Sequence, residues 1–298
     1  MRFCFENHNR ILIASPAKLN LFLELHRRRD DGFHELETVM TQLGLFDFLL
    51  FDRTDNDAFE LKVQTNRRLK HQIVPSDESN LVISTLRLMR DLAGCGSGAA
   101  IRLFKNIPVQ AGMGGASGNA AAAILAANRM WGLRWPMRKL MSIASQIGSE
   151  VAFFLGDSLS RCTGKGEKVH NLSTTCRFNI VVAQPSTGMS TGEIYSQCQV
   201  PEQPIRSRRI LDSLKSGNPT SVGNALFNRL ECFAEKVSDD VAKMRNQFQK
   251  TSCLGHQLTG SGSCYFGIYR NRRTMRAAAR ILASRLPEMN IFTGQTLI

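Results

Sequence analysis

The chain has 298 residues, with 38 Lys and Arg against 25 Asp and Glu for a formal charge of +13, and 43% of positions are hydrophobic. That apolar content excludes a disordered or collagen-like chain, and at roughly 100–200 residues per domain the length suits two domains or one large one. No stretch approaches the ~20 apolar residues of a membrane span, and the opening MRFCFENHNR puts Glu6 and Arg10 where a secretory signal needs its apolar run. A cytoplasmic protein without a membrane segment is expected.

The eight cysteines, at 4, 95, 162, 176, 198, 232, 253 and 264, form no Cys-x-x-Cys pair and no Cys/His cluster, so reduced thiols are expected rather than a zinc or redox motif. The positive balance suits an anionic partner, but net charge bears on solubility and steering rather than on activity.

Along the chain, ILIASPAKLNLFLEL joins two apolar runs through Ser15-Pro16-Ala17-Lys18, and Leu21, Leu23 and Leu25 then alternate as in a half-buried strand. This places Lys18 at a break between two strands. RRRDDG at 27–32 reads as a charged turn, 36–45 as extended, and 65–77 as a polar loop. From Asn80, Leu81, Thr85, Leu88 and Leu92 recur at spacings of three and four up to Gly94, predicting an amphipathic helix closed by glycine. A strand over 99–104 leads into GMGGASGNAAAAILAANRMWGL, a glycine-rich loop running into an alanine-rich helix. Pro136 opens another helix with Leu140, Met141, Ala144 and Ile147 on one face, ended by Gly148. Glu150 follows that stop, and 151–155 reads as a buried strand. A texture of strand, loop and helices continues to LTGSGSCYFGIY and a basic helix over about 273–286, and a domain change is placed near residue 160.

The glycine loop is the most informative segment. Gly112, Gly114 and Gly115 let backbone approach a ligand closely, and Ser117, Gly118 and Asn119 open a helix whose unpaired N–H groups favour an anion. It is not the common P-loop, because no Lys-Ser/Thr pair follows the glycines, so charge neutralisation must come from elsewhere. Arg270, Arg272, Arg273, Arg276, Arg280 and Arg285 make the last helix basic. With three tyrosines, two tryptophans and no RNA-binding aromatic motif, a solvated face is expected there and no nucleic-acid partner.

PAKLNLFLEL with RRRDDGFHELET, IPVQAGMGGASGNAAAA, IGSEVAFFLG and LTGSGSCYFG resemble the ordered motifs of the GHMP small-molecule kinases, over nearly the whole chain. The resemblance implies an α/β fold of α+β type with two lobes, an N-terminal domain over 1–160 carrying the phosphate loop and a C-terminal domain over 161–298. It puts the active site in the cleft between them. It further implies an ATP-dependent kinase using Mg2+, whose ligands it leaves unassigned, in a monomer or homodimer. The first block most resembles members that phosphorylate the C2 hydroxyl of a cytidyl-linked methylerythritol in the non-mevalonate route to isoprenoid precursors. A mevalonate, phosphomevalonate or homoserine type, or a nucleotide-binding homologue without catalysis, stays open beside it.

Carried onto this chain, the resemblance makes Lys18 the catalytic lysine and Glu150 the general base, one methylene longer than the family's usual aspartate. Ala152 stands where proline is common. Gly112, Met113, Gly114, Gly115, Ala116, Ser117, Gly118 and Asn119 would bind the ATP phosphates, although Ala116 and Gly118 depart from the usual glycine–serine–serine run. Asn80 and Lys105 match the adenosine side more weakly. Asn20, Phe33, His34, Thr191, Tyr195, Gly260 and Ser261 would bind the cytidyl substrate, with the rings of Phe33 and Tyr195 able to sandwich a cytosine.

Overall fold

The computed structural model describes residues 1–7, 9–174 and 176–297, and within it the chain forms two compact units. The first comprises Met1–Ala17, Leu45–Val109 and Gly114–Gly156; the second comprises Lys18–Gly44, Gln110–Met113 and Asp157–Ile298. Both combine helices with β-structure, as an α/β sequence requires, and no helix among the described residues is long and apolar enough to cross a membrane.

In the first unit, β1 (Arg2–Glu6) pairs antiparallel with the start of β2 (Arg10–Arg28). The end of β3 (His34–Thr54) pairs antiparallel with β5 (Gly98–Lys105), which takes β4 (Phe59–Thr65) as a parallel neighbour. Helix α1 (Leu81–Ala93) is capped by the Asn80 side chain on Val82 N and ends at Gly94 in the left-handed region, φ 61°. It packs on α2 (Gly115–Met130), whose alanines 120–123, 126 and 127 are buried. Alanine lets neighbouring backbones approach closely, and α2 also packs against α3 (Met137–Ile147) and α4 (Val151–Leu155).

Two sequence expectations change here. Residues 151–155 form a helix, not a strand; a five-residue apolar run carries no period that separates the two, and all five side chains are buried either way. β2 is one continuous strand of 19 residues, so Lys18 lies within a strand rather than at a break. Pro16 supplies no N–H at its own position, but an extended backbone accommodates its fixed φ.

In the second unit, the start of β3 pairs antiparallel with β6 (Leu159–Gly164), and β6 pairs with β7 (Lys168–Asn171). β8 (Asn179–Gln184) is wholly buried in the middle of a separate four-stranded sheet. Helices α5 (Thr191–Gln197), α6 (Arg208–Ser216) and α7 (Pro219–Asn224) follow. The short β9 (Phe227–Asn228) then runs parallel to β2 through Phe22↔Phe227, and α8 (Glu231–Val237) and α9 (Asp239–Gln249) come after it. β10 (Gly255–Leu258), β11 (Tyr265–Tyr269), α10 (Arg272–Arg285) and β12 (Asn290–Gln295) complete the chain, and the four-stranded sheet has the order β10-β11-β8-β12. Val181, Ala183, Met244, Phe248, Tyr265 and Leu282 belong to the core over this sheet. α10 buries Met275, Ala278 and Leu282 while its arginines are exposed, the solvated basic face expected from its spacing.

Candidate active site

In the first unit, α2 begins at Gly114, φ 69°, with no side chain capping its first turn. The leading N–H groups of a 16-residue helix therefore face outward with the positive end of its dipole. Ala116 is exposed and Ser117 half-buried, whereas Gly118 and Asn119 are buried. A Cβ on Gly118 would stand 2.6 Å from Ser15 Oγ and 3.4 Å from the Phe154 ring, so the missing hydroxyl at 118 reflects a space already taken by Ser15. Ser15 Oγ and Asn119 Oδ1 are buried with no hydrogen-bond partner among the described residues. Orphaned buried oxygens beside an uncapped helix start fit a ligand that brings phosphate and its cation.

Beneath this loop lies a cluster that sequence reasoning missed. Asp47, fully buried, accepts from Lys105 Nζ (2.6 Å), Asn106 N (2.7 Å), Ile107 N (2.8 Å) and Asn119 Nδ2 (3.0 Å). Lys105 also donates to Ile107 O at 2.6 Å. The only available signal was an acid between Phe46 and Phe48, within the apolar run Leu45–Phe51. Lys105 and Asn119 thus support the loop from below, and Asn80 spends its side chain on capping α1 and on Pro75 O.

Glu150 is half-buried immediately ahead of α4, with φ −102° and ψ −3°. It follows the end of α3, as expected, but it equally precedes a helix start, so the local backbone dipoles are mixed rather than purely unfavourable to a carboxylate.

In the second unit, Lys18 is 1% exposed and donates from Nζ to Asn20 Oδ1 at 2.7 Å. Its backbone N–H bonds to Met113 O rather than to a neighbouring strand, at 2.9 Å. Asn20 is held from every side: its N–H by Thr259 Oγ1, its carbonyl by Gln257 Nε2, and its Nδ2 on Thr38 Oγ1. Gly112, φ 69°, passes so close to the loop after β10 that a Cβ would lie 2.0 Å from Thr259 O. A side chain on Gly260 would lie 3.2 Å from Lys18 Nζ. These glycines let two backbone segments and a lysine meet.

Of the residues matched to the cytidyl substrate, Thr191 and Ser261 share a hydrogen bond of 3.0 Å, and the ring facing Tyr195 is His34, with centroids 5.6 Å apart and planes tilted by 40°. Phe33 is 54% exposed with Lys165 Nζ 4.6 Å from its ring. Burial and the nearby Arg28 hold His34 below the ordinary imidazole value, so it is neutral at pH 7 and offers one donor and one acceptor.

The chain matches the family model "GHMP kinases N terminal domain" over residues 80–156 and "GHMP kinases C terminal" over residues 210–288. It belongs to the GHMP kinases. This GHMP kinase is 36% identical to 4-diphosphocytidyl-2-C-methyl-D-erythritol kinase of Rhodopirellula baltica, covering 92% of this chain and 91% of that one. It is 32% identical to the enzyme of the same name from Bacillus subtilis, covering 87% and 88%. A crystal structure of 4-(cytidine 5'-diphospho)-2C-methyl-D-erythritol kinase matches it with a TM-score of 0.79 at 26% identity, over 96% of this chain and 98% of that one. The first model covers the whole glycine loop and Glu150, and the second runs from within α6 through all of α10.

Proposed function

We propose that this GHMP kinase transfers the γ-phosphoryl group of ATP to the C2 hydroxyl of 4-diphosphocytidyl-2-C-methyl-D-erythritol, in the cytoplasm, as a step toward isoprenoid precursors. Relatives and a solved structure named for that substrate, matching along nearly the whole chain, support the choice of acceptor. The observation that carries the chemistry is the buried pair of Lys18 and Asn20: an ammonium 1% exposed and oriented by the Asn20 amide oxygen at 2.7 Å is a compact positive charge with three donors, suited to an anionic group.

In the reaction, the hydroxyl oxygen bonds to the γ-phosphorus as the bond to the bridging oxygen of ADP breaks, and the hydroxyl proton passes to the Glu150 carboxylate. ATP supplies the phosphoryl group, and Mg2+ offsets the charge of its phosphates. The N–H groups opening α2 and the Ser117 hydroxyl would hold phosphate oxygens, the unpartnered Ser15 Oγ and Asn119 Oδ1 are the oxygens that would face the cation accompanying ATP, and Lys18 would offset charge on the transferring group. His34 reads the cytosine edge beside the Tyr195 ring, with Thr191, Gly260 and Ser261 on the remaining substrate. The two family models fall on either side of a division near residue 160, while 18–44 and 110–113 belong to the second compact unit.

The test is transfer from Mg-ATP to the cytidyl substrate by the wild type and by Glu150→Asp and Glu150→Gln. Turnover by the wild type and a loss of about 10²–10⁴-fold in the glutamine variant, with folding intact, is the expected result. A wild type silent toward this acceptor, or a fully active glutamine variant, rejects the reading.

A further inference from the structure

Lys18 and Asn20 lie where β2 departs from ordinary strand bonding. The Lys18 N–H reaches Met113 O, the Asn20 N–H reaches a side-chain hydroxyl, Thr259 Oγ1, at 3.2 Å, and the Asn20 carbonyl is met by a side-chain amide, Gln257 Nε2, at 2.6 Å. Two of these three partners come from the β10 strand and the loop after it, more than 230 residues away in sequence. The placement of the lysine is therefore inherited from that loop.

The loop is in turn clamped by a residue to which no role has been attached. Asn228, 7% exposed on the short β9, donates from Nδ2 to both Leu258 O (2.9 Å) and Gly260 O (2.8 Å), the carbonyls on either side of Thr259. Its Oδ1 accepts Leu230 N at 3.0 Å, which fixes the amide's orientation. Three residues on, Glu231 accepts Leu258 N and the Tyr265 hydroxyl, both at 2.9 Å, and so fastens the two ends of the loop to the start of α8. An amide that donates to the peptides flanking Thr259 leaves that threonine little freedom, and its hydroxyl lies within reach of Asn20 Oδ1 (3.3 Å) and Gly112 O (3.2 Å) as well as the Asn20 N–H.

We infer that Asn228 and Thr259 are positioning residues for Lys18: Asn228 fixes the loop, Thr259 fixes Asn20, and Asn20 aims the lysine ammonium. The inference rests on the phosphoryl-transfer reading for its kinetic consequence, but not for its structural one. Thr259→Val keeps the side chain's shape, removes the hydroxyl and leaves a buried N–H without its acceptor, whereas Thr259→Ser keeps the hydroxyl.

Two readouts on the full chain test this. In Thr259→Val, kcat falls about 10- to 100-fold and the KM for ATP moves by a smaller factor, because the lysine is displaced and Gly112 O loses the threonine hydroxyl while Asn119 keeps its bond to Asp47. Amide hydrogen exchange at Asn20 accelerates in the same variant, and Thr259→Ser restores both. Asn228→Ala acts in the same direction, and the double variant is less impaired than the product of the single losses, because both act through one relay. Unchanged Asn20 exchange in Thr259→Val overturns the inference, as does an equal loss of kcat in the valine and serine variants. If the valine variant does not fold, Asn228→Ala is read by the same two measurements with the same consequences. A wild type that transfers no phosphate rejects the functional reading alone, and exchange at Asn20 still decides the positioning.

Discussion

Lys105 and Asp47 form an ion pair of 2.6 Å, 5% and 0% exposed, directly beneath the backbone of the glycine loop: a Cβ on Gly115 would stand 2.8 Å from the lysine nitrogen. The pair explains how a loop without a lysine of its own keeps its shape. The carboxylate collects two backbone N–H groups from the segment leading into the loop and the Asn119 amide from the helix leaving it. Asp47→Asn keeps the volume but strands a buried ammonium, and a loss of about 3–5 kcal/mol is expected from urea unfolding. Replacing both partners, as in Asp47→Leu with Lys105→Met, costs less than the single change, which separates the loss of the pair from the penalty of an unpaired charge.

The departure at Gly118 has a steric partner. Gly118→Ser places a Cβ within 2.6 Å of Ser15 Oγ, and a loss of about 1–2 kcal/mol in thermal unfolding is expected from the crowding. Ser15→Ala removes the obstructing oxygen, so the double variant recovers most of that loss. Independent, additive effects of the two substitutions would contradict the coupling.

Two histidines contribute to the acid side of the stability profile. Burial, reinforced by Arg28 at His34 and by Arg245 at His256, depresses both below the ordinary value of 6.5. Between that depressed value and 6.5 the unfolded chain binds protons that the folded chain does not, so stability is full above 6.5 and declines as pH falls through this window. Glu231, raised by burial above 4.5, acts with the opposite sign: its contribution is present below 4.5 and is lost as pH rises through the raised value. The denaturation midpoint is expected to fall as pH drops below 6.5, and His256→Phe flattens that fall while the Tyr265 hydroxyl keeps its bond to Glu231.

Under the proposed substrate assignment, the two aromatic residues Tyr195 and Phe33 are expected to differ. Tyr195→Ala weakens binding of CDP by about 1–3 kcal/mol, the worth of one stacked base, measured by calorimetry. Phe33→Ala changes it far less, because that ring lies out in solvent under Lys165. Equal losses in the two variants would mean that Phe33 folds over the base on binding.

Much of the helical framework was legible, because its signals are local. Asn80 and Gly94 bracket α1 as cap residues, and the run of small residues after Gly115 is a buried helix. What escaped reading depends on partners distant in sequence. Lys18 and Pro16 look like a break until the strand is seen to draw its hydrogen bonds from Met113 and Thr259. The helix at 151–155 is too short to show a period. Asp47 carried a weak signal as an acid in an apolar run, but its partners lie 58 to 72 residues away. Asn228 and Glu231 carried none, since an amide and an acid three apart suit any helix start.

Among the free thiols, Cys264 occupies an unusual place. It lies in the loop clamped by Asn228, its N–H bonded to Ala111 O and its carbonyl to Thr259 N, with its sulfur out of contact with solvent and burial holding the thiol well above its ordinary value. A thiol so sealed reacts only when the loop lifts. The chain therefore carries its own clock: the rate at which Cys264 is alkylated counts the openings of the segment that holds Lys18 in place.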